Sequence, residues 1–149
     1  MKALLQRVSQ ARVDVAGECV GQIEQGLLVL LGLDKGDNRQ TADRMLDKLL
    51  AYRVFSDDAG RMNLSVTDVA GGVLLISQFT LSADTRKGLR PGFSSALPPA
   101  EAEELYDYTL ERLRGRHGDV AAGVFGADMQ VSLTNDGPVT FLLEVSTSP

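Results

Sequence analysis

Two short segments carry residue types from which chemistry can be built. Ser77-Gln78-Phe79-Thr80 directly follows the apolar run Val73-Leu74-Leu75-Ile76, which puts hydroxyls, a carboxamide and backbone N–H groups at the rim of a core. Donors held at such a rim and aimed at a developing oxyanion stabilise the transition state of acyl transfer. The plainer reading is a strand end whose Ser and Thr satisfy nearby backbone groups. The second segment, Asn135-Asp136-Gly137-Pro138-Val139-Thr140, holds a Gly-Pro bond in a turn sequence. Such a bond takes the cis form at modest cost and then fixes its neighbouring carbonyls; the alternative is an ordinary turn.

The rest of the composition narrows the chemistry further. The one histidine, His117, lies in Arg114-Gly115-Arg116-His117-Gly118-Asp119, a polar stretch that reads as a solvated loop after a helix. Ser-His-Asp and Cys-His catalysis need a histidine base, and most zinc sites need several His or Cys ligands, so neither a triad nor a metal is expected. The one cysteine, Cys19, cannot form an intramolecular disulfide or a CxxC motif and suits a reducing compartment. Thr80 is the obvious nucleophile candidate, yet no base is visible for it. Arg86, Lys87 and Arg90 make the notable basic cluster of a chain whose net charge is −5. That balance argues against a broad nucleic-acid surface while leaving room for a local one; the alternative for the cluster is a solvated loop. No GxGxxG or P-loop pattern points to a nucleotide cofactor, and no cofactor is expected.

These groups need a scaffold, and 149 residues with 44% hydrophobic content fit one domain over 1–149. Val13 and Val15 alternate with Arg12 and Asp14, turn at Gly17-Glu18 and continue into Cys19–Ile23, which reads as a hairpin. The apolar run from Gly26 to Leu33 reads as a strand covered on both faces, in the middle of a sheet. Ala42, Met45, Leu46, Leu49 and Leu50 recur at helical spacing, as do Ala102, Leu105, Tyr106, Leu110 and Leu113, with Gly115 as the stop of the second helix. Between the helices lies a second buried strand at 73–76, and the segment from Ser82 to Pro99 is irregular. The last third reads as a strand at 129–133, a turn at 135–138 and a strand at 139–145. The order suits a mixed or antiparallel sheet with two helices on one side, an α/β fold that is not doubly wound. Arg7 interrupts the N-terminal stretch before an apolar segment develops, and no run approaches the ~18 apolar residues of a membrane span. A cytoplasmic protein without membrane contact is expected.

Taken together, Ser77-Gln78-Phe79-Thr80-Leu81 and Asn135-Asp136-Gly137-Pro138-Val139-Thr140 resemble the two signature motifs of the D-aminoacyl-tRNA deacylase family. Arg7-Val8, Lys87-Gly88-Leu89-Arg90-Pro91-Gly92-Phe93 and Phe125-Gly126-Ala127-Asp128-Met129 are similar to it as well, so the resemblance covers nearly the whole chain. It implies a three-layer α/β/β homodimer with active sites at the subunit interface. It further implies hydrolysis of the ester in D-aminoacyl-tRNA, with glycyl-tRNA as another substrate. Ser77, Gln78, Phe79 and Thr80 would form the catalytic segment, with N–H groups around Phe79 and Thr80 polarising the carbonyl. Gly137-Pro138, in the cis form, would fence the space beside the substrate α-carbon against L side chains. Arg7 would brace that motif, Phe125 and Met129 would belong to the substrate pocket, and Arg86, Lys87 and Arg90 would meet tRNA. Two rivals stand beside this: a small esterase with a Thr80 nucleophile, and a noncatalytic dimeric nucleic-acid-binding module.

Overall fold

The computed structural model describes residues 1–147. Eight strands and two helices follow the chain as β1 (Lys2–Val15), β2 (Glu18–Ile23), β3 (Gly26–Gly32), α1 (Arg39–Ala51), β4 (Phe55–Ser56), β5 (Met62–Leu64), β6 (Gly72–Ser77), α2 (Pro99–Arg116), β7 (Val120–Ala122) and β8 (Gln130–Glu144). A short 3₁₀ turn, Phe79–Ser82, follows β6. Six strands form one sheet in the order β2-β1-β3-β6-β7, with β8 on β1; β4 and β5 make a separate hairpin.

Local sequence explains most of these elements. The 14-residue β1 is long enough to pair antiparallel with both β2 and β3 along one edge and with β8 along the other. β3 is flanked by β1 and, in parallel, by β6, which is the central position its unbroken apolar run implies. Where β3 and β6 begin, the backbones come so close that a Cβ on Gly26 would lie 1.9 Å from the Gly72 carbonyl oxygen, so a side chain cannot be accommodated. Asn38 starts α1 with a reciprocal cap: its side chain accepts from Thr41 N–H at 3.0 Å, and the Thr41 hydroxyl accepts from Asn38 N–H at 3.3 Å. Pro99 starts α2, where a missing N–H costs nothing.

Alternation along β3 separates two cores. Leu27, Val29 and Leu31 face α1 and α2 together with Leu5, Val73 and Leu75, while Leu28 turns to the opposite face with Val8, Val13, Leu74 and Ile76. The sheet curls around this second core, bringing β2 against β7: a Cβ on Gly21 would lie 2.7 Å from the Ala122 carbonyl oxygen. The two β layers implied by the resemblance are therefore parts of one curled, nearly barrel-like sheet, because β1 and β8 are long enough to serve both. On the helical side, the buried Tyr106 hydroxyl donates to the Leu75 carbonyl at 3.0 Å, and burial pushes its pKa up to about 12.

Three expectations change. α2 does not stop at Gly115 but continues through Arg116; His117 caps it, with its N–H donating to the Leu113 carbonyl at 2.9 Å. The His117 ring is not solvated loop either, since Nε2 lies 2.6 Å from the Gly71 carbonyl oxygen and ties the helix end to the start of β6. The largest change is at the C-terminal end, where the two expected strands are one 15-residue strand. Asn135–Pro138 does not reverse the chain: between the pairs Val8↔Asn135 and Gln6↔Thr140, β8 advances five residues while β1 advances two. The excess is extruded as a bulge, and pairing with β1 resumes in the same direction.

Candidate active site

β6 ends where its polar residues begin. Gln78 N–H still donates to the Leu31 carbonyl of β3 at 2.7 Å, after which the chain tightens into the 3₁₀ turn. The first bond of that turn runs from Leu81 N–H to the Gln78 carbonyl at 3.2 Å. The N–H groups of Phe79 and Thr80 precede it and, as at any helix start, have no intrahelical acceptor. The Gln78 carboxamide donates to the Thr80 hydroxyl, and the buried Ser82 hydroxyl donates to the Leu33 carbonyl at 3.2 Å. Thr80 has no histidine, lysine or carboxylate partner among the described residues, so nothing there can deprotonate it.

A cavity of about 770 Å³ opens at this end of β3 and β6. Ser77, Gln78 and Phe79 line one side of it, and Phe125 and Met129 another. Phe79, 63% exposed, packs its ring 5.2 Å from that of Phe93, which also lines the cavity. A volume of this size suits a small-molecule or nucleoside-sized group. Of the expected site residues, Ser77, Gln78, Phe79, Phe125 and Met129 thus line one cavity, whereas Thr80 stands beside it outside the lining.

Arg7, Gly137 and Pro138 do not line the cavity. They form a separate construction on the β8 bulge. The Gly137-Pro138 peptide is cis, and Gly137 has φ +150°, where a Cβ would also lie 2.6 Å from a Val139 methyl carbon and 2.8 Å from its nitrogen. Asn135 Oδ1 accepts from Val139 N–H at 2.7 Å, and its Nδ2 donates to the Thr140 hydroxyl at 2.9 Å. Arg7, only 13% exposed, donates from Nε to the Asp136 carbonyl at 2.8 Å and from an Nη to the Val54 carbonyl at 2.9 Å. Asp136, Gly137 and Pro138 themselves are exposed.

The basic cluster divides. Arg86 forms a two-point pair with Asp84, at 3.0 and 2.9 Å, and the hydrogen bonds from Arg86 hold the Asp84 carboxyl down to about 2. Lys87 and Arg90 are exposed, and neither lines the cavity. Sequence reasoning missed Lys35, which does line it. The signal was the charged turn Asp34-Lys35-Gly36-Asp37 after a buried strand, which gains meaning only once β3 and β6 are known to be parallel neighbours ending at one rim. Among the described residues, no group of three or more His, Cys, Asp or Glu side chains is placed to hold a metal, and no helix is long and apolar enough to cross a membrane.

Against known proteins, the family described as D-Tyr-tRNA(Tyr) deacylase matches residues 4–144. A D-aminoacyl-tRNA deacylase of Pseudomonas putida is 65% identical over 145 residues, which is 97% of this chain and all of the relative. One from Stutzerimonas stutzeri is 65% identical over 144 residues, covering 97% of this chain and 99% of the relative. Among solved structures, a c-Myc DNA unwinding element binding protein superposes with a TM-score of 0.92 at 43% identity, over 97% of this chain and 98% of that one. A probable eukaryotic D-amino acid tRNA deacylase shares the fold at 17% identity, with a TM-score of 0.79 over 95% of this chain and 97% of that one.

Proposed function

The chain belongs to the D-Tyr-tRNA(Tyr) deacylase family, and from that membership we propose that it hydrolyses the ester of D-aminoacyl-tRNA and rejects L-aminoacyl substrates. The observation that carries this reading is the cavity walled by Ser77, Gln78 and Phe79, with the N–H groups of Phe79 and Thr80 left over at the start of the 3₁₀ turn.

In this mechanism the acyl group enters the cavity and its carbonyl oxygen meets those N–H groups. Water attacks the carbonyl carbon, aided by the neighbouring ribose 2′-OH, while Ser77 and Gln78 position the substrate. The bond from that carbon to the ribose oxygen breaks, and the ribose oxygen takes the proton the water gives up. The products are a free D-amino acid and tRNA. An aminoacyl ester is already activated, so orientation and oxyanion stabilisation suffice, and no covalent intermediate on Thr80 is needed.

Chirality is set by backbone. The protein acts as a homodimer, and Gly137-Pro138 of the partner subunit completes each pocket, its carbonyls standing where an L side chain would go. Support comes from a bulge that is exposed, internally cross-linked, held by Arg7 and outside the pocket of its own chain. Enantiomers carry identical groups, so exclusion by a rigid surface is the available discriminator. Glycine, which has no side chain to exclude, is accepted, so glycyl-tRNA is a second substrate. Lys87 and Arg90, with Arg86 contributing less because of Asp84, meet the tRNA body, and the reaction takes place in the cytoplasm.

The test is deacylation of matched D- and L-tyrosyl-tRNA, and of glycyl-tRNA, with EDTA present. Release of D-tyrosine and glycine with L-tyrosine retained is expected. Gly137→Ala, whose Cβ displaces Val139, should erode the D/L ratio about tenfold or more. Equal release of both enantiomers, or none, overturns the reading. The name of one structural relative favours a second reading, a nucleic-acid-binding module. Tight binding of uncharged tRNA or DNA without turnover would support that instead.

A further inference from the structure

Among the described residues, Lys35 is the one charged residue lining the cavity, and the others in the wall are apolar or neutral polar groups. Its position is fixed by backbone. Lys35 N–H donates to the Ser95 carbonyl at 2.9 Å, and Asp34 bridges to Ala96, so the loop after β3 is tied to the segment carrying Phe93 and Leu97. Its ammonium is free. Asp34 is occupied by Lys2 Nζ at 3.0 Å and by the Met1 ammonium at 3.2 Å, and Asp37 by the Met1 ammonium at 2.9 Å. Among the described residues the Lys35 side chain has neither a hydrogen bond nor an ion pair. Arg86, by contrast, is neutralised by Asp84. A lone cation on the rim of a neutral concave site concentrates positive potential there and attracts an anion.

If the site takes the aminoacylated end of tRNA, as the preceding reading requires, the anion can be identified by its chemistry. The ester and ribose are neutral, and the α-amino group of the amino acid is cationic and is repelled by lysine. The anion nearest the ester is the phosphodiester on the 5′ side of the terminal adenosine. We infer that Lys35 is a substrate-binding residue that pairs with this phosphodiester and so orients the terminal nucleotide, acyl group toward Ser77–Phe79 and phosphate toward the loop after β3. Lys35 takes no part in the bond-breaking step. It acts on KM, and through a charge that salt screens.

Two minimal substrates isolate the contact: adenosine bearing a 3′ D-tyrosyl ester, and the same compound with a 5′-phosphate. The native protein should prefer the phosphate form by about 5- to 10-fold in kcat/KM, mostly through KM, with the preference shrinking as salt rises from about 0.05 to 0.5 M. Lys35→Ala should bring the preference below about twofold and raise KM for D-tyrosyl-tRNA, while Lys35→Arg should keep most of both. Because Lys35 is exposed, loss of folding does not confound the Ala variant. A native protein indifferent to the phosphate, a preference that survives Lys35→Ala, or one abolished by Lys87→Ala instead overturns the inference. If the minimal esters are not turned over, an unchanged KM of Lys35→Ala for D-tyrosyl-tRNA overturns it. Failure of the deacylase reading shows separately, as no hydrolysis of D-tyrosyl-tRNA by the native protein.

Discussion

The end of β6 and the bulge of β8 both interrupt a strand with polar residues, and they use those residues in opposite ways. After β6, the chain leaves the sheet with the N–H groups of Phe79 and Thr80 ahead of the first turn bond and with the Phe79 ring outward. In the bulge, Asn135 serves Val139 and Thr140, and Arg7 serves Asp136, so the polar groups are spent on one another. The first region has donors to offer a ligand. The second offers a surface of fixed shape. Under the proposed deacylation, a pocket that both activates an ester and discriminates by shape needs one of each, and an exchange of roles would serve neither task.

Removing Arg7 should break the comparison most severely. Arg7→Ala leaves the Val54 and Asp136 carbonyls without their donor and frees the bulge. Hydrogen bonds to charged groups are worth roughly 1.5–3 kcal/mol, so about 2 kcal/mol of stability should be lost in denaturant titration. The D/L selectivity of deacylation should fall with it, by an order of magnitude or more, whereas unchanged selectivity would mean that the bulge holds its shape unaided. A smaller effect is expected from Thr80→Val. The hydroxyl accepts from Gln78 and has no base, so turnover of D-tyrosyl-tRNA should fall by less than about fivefold. Complete loss, with an acyl adduct trapped on the native protein, would assign the first region a nucleophile.

Least is expected of the Asp84–Arg86 pair, which lies outside both regions. Its carboxyl is held down from the usual range to about 2, so any stabilisation is complete above the unfolded value of about 3.8 and is lost as pH falls toward 2. Arg86→Ala should therefore leave stability flat between pH 5 and 8, and should change KM for tRNA by less than about twofold. A larger rise in KM would return Arg86 to the nucleic-acid contact.

What the sequence disclosed follows the range of the interactions involved. α1 and β3 are legible because their local patterns report burial: helical spacing selects Met45, Leu46 and Leu49 of α1, which are buried, and the unbroken apolar run of β3 marks a strand covered on both faces. The bulge is not legible as a bulge, because Asn-Asp-Gly-Pro has the local chemistry of a turn, and only pairing with β1, some 130 residues earlier, keeps the chain running straight. His117 misleads for the same reason: its partner, the Gly71 carbonyl, is remote in sequence. The segment from Ser77 to Thr80 stands out by its place after a buried strand, but its neighbour Lys35 does not, since adjacency of the ends of β3 and β6 is a fact of topology.

The bulge has a further consequence for solubility. Among the described strands β8 pairs with β1 alone, which leaves a 15-residue strand with an open outer edge of unpaired peptide groups. An uninterrupted edge of that length is a template on which a stray chain can add itself, the first step of aggregation. The extruded residues cut the edge into two shorter ladders that are out of step with each other, and the missing N–H of Pro138 removes a donor at the break. The same few residues that give the molecule its rigid surface also blunt its longest exposed edge.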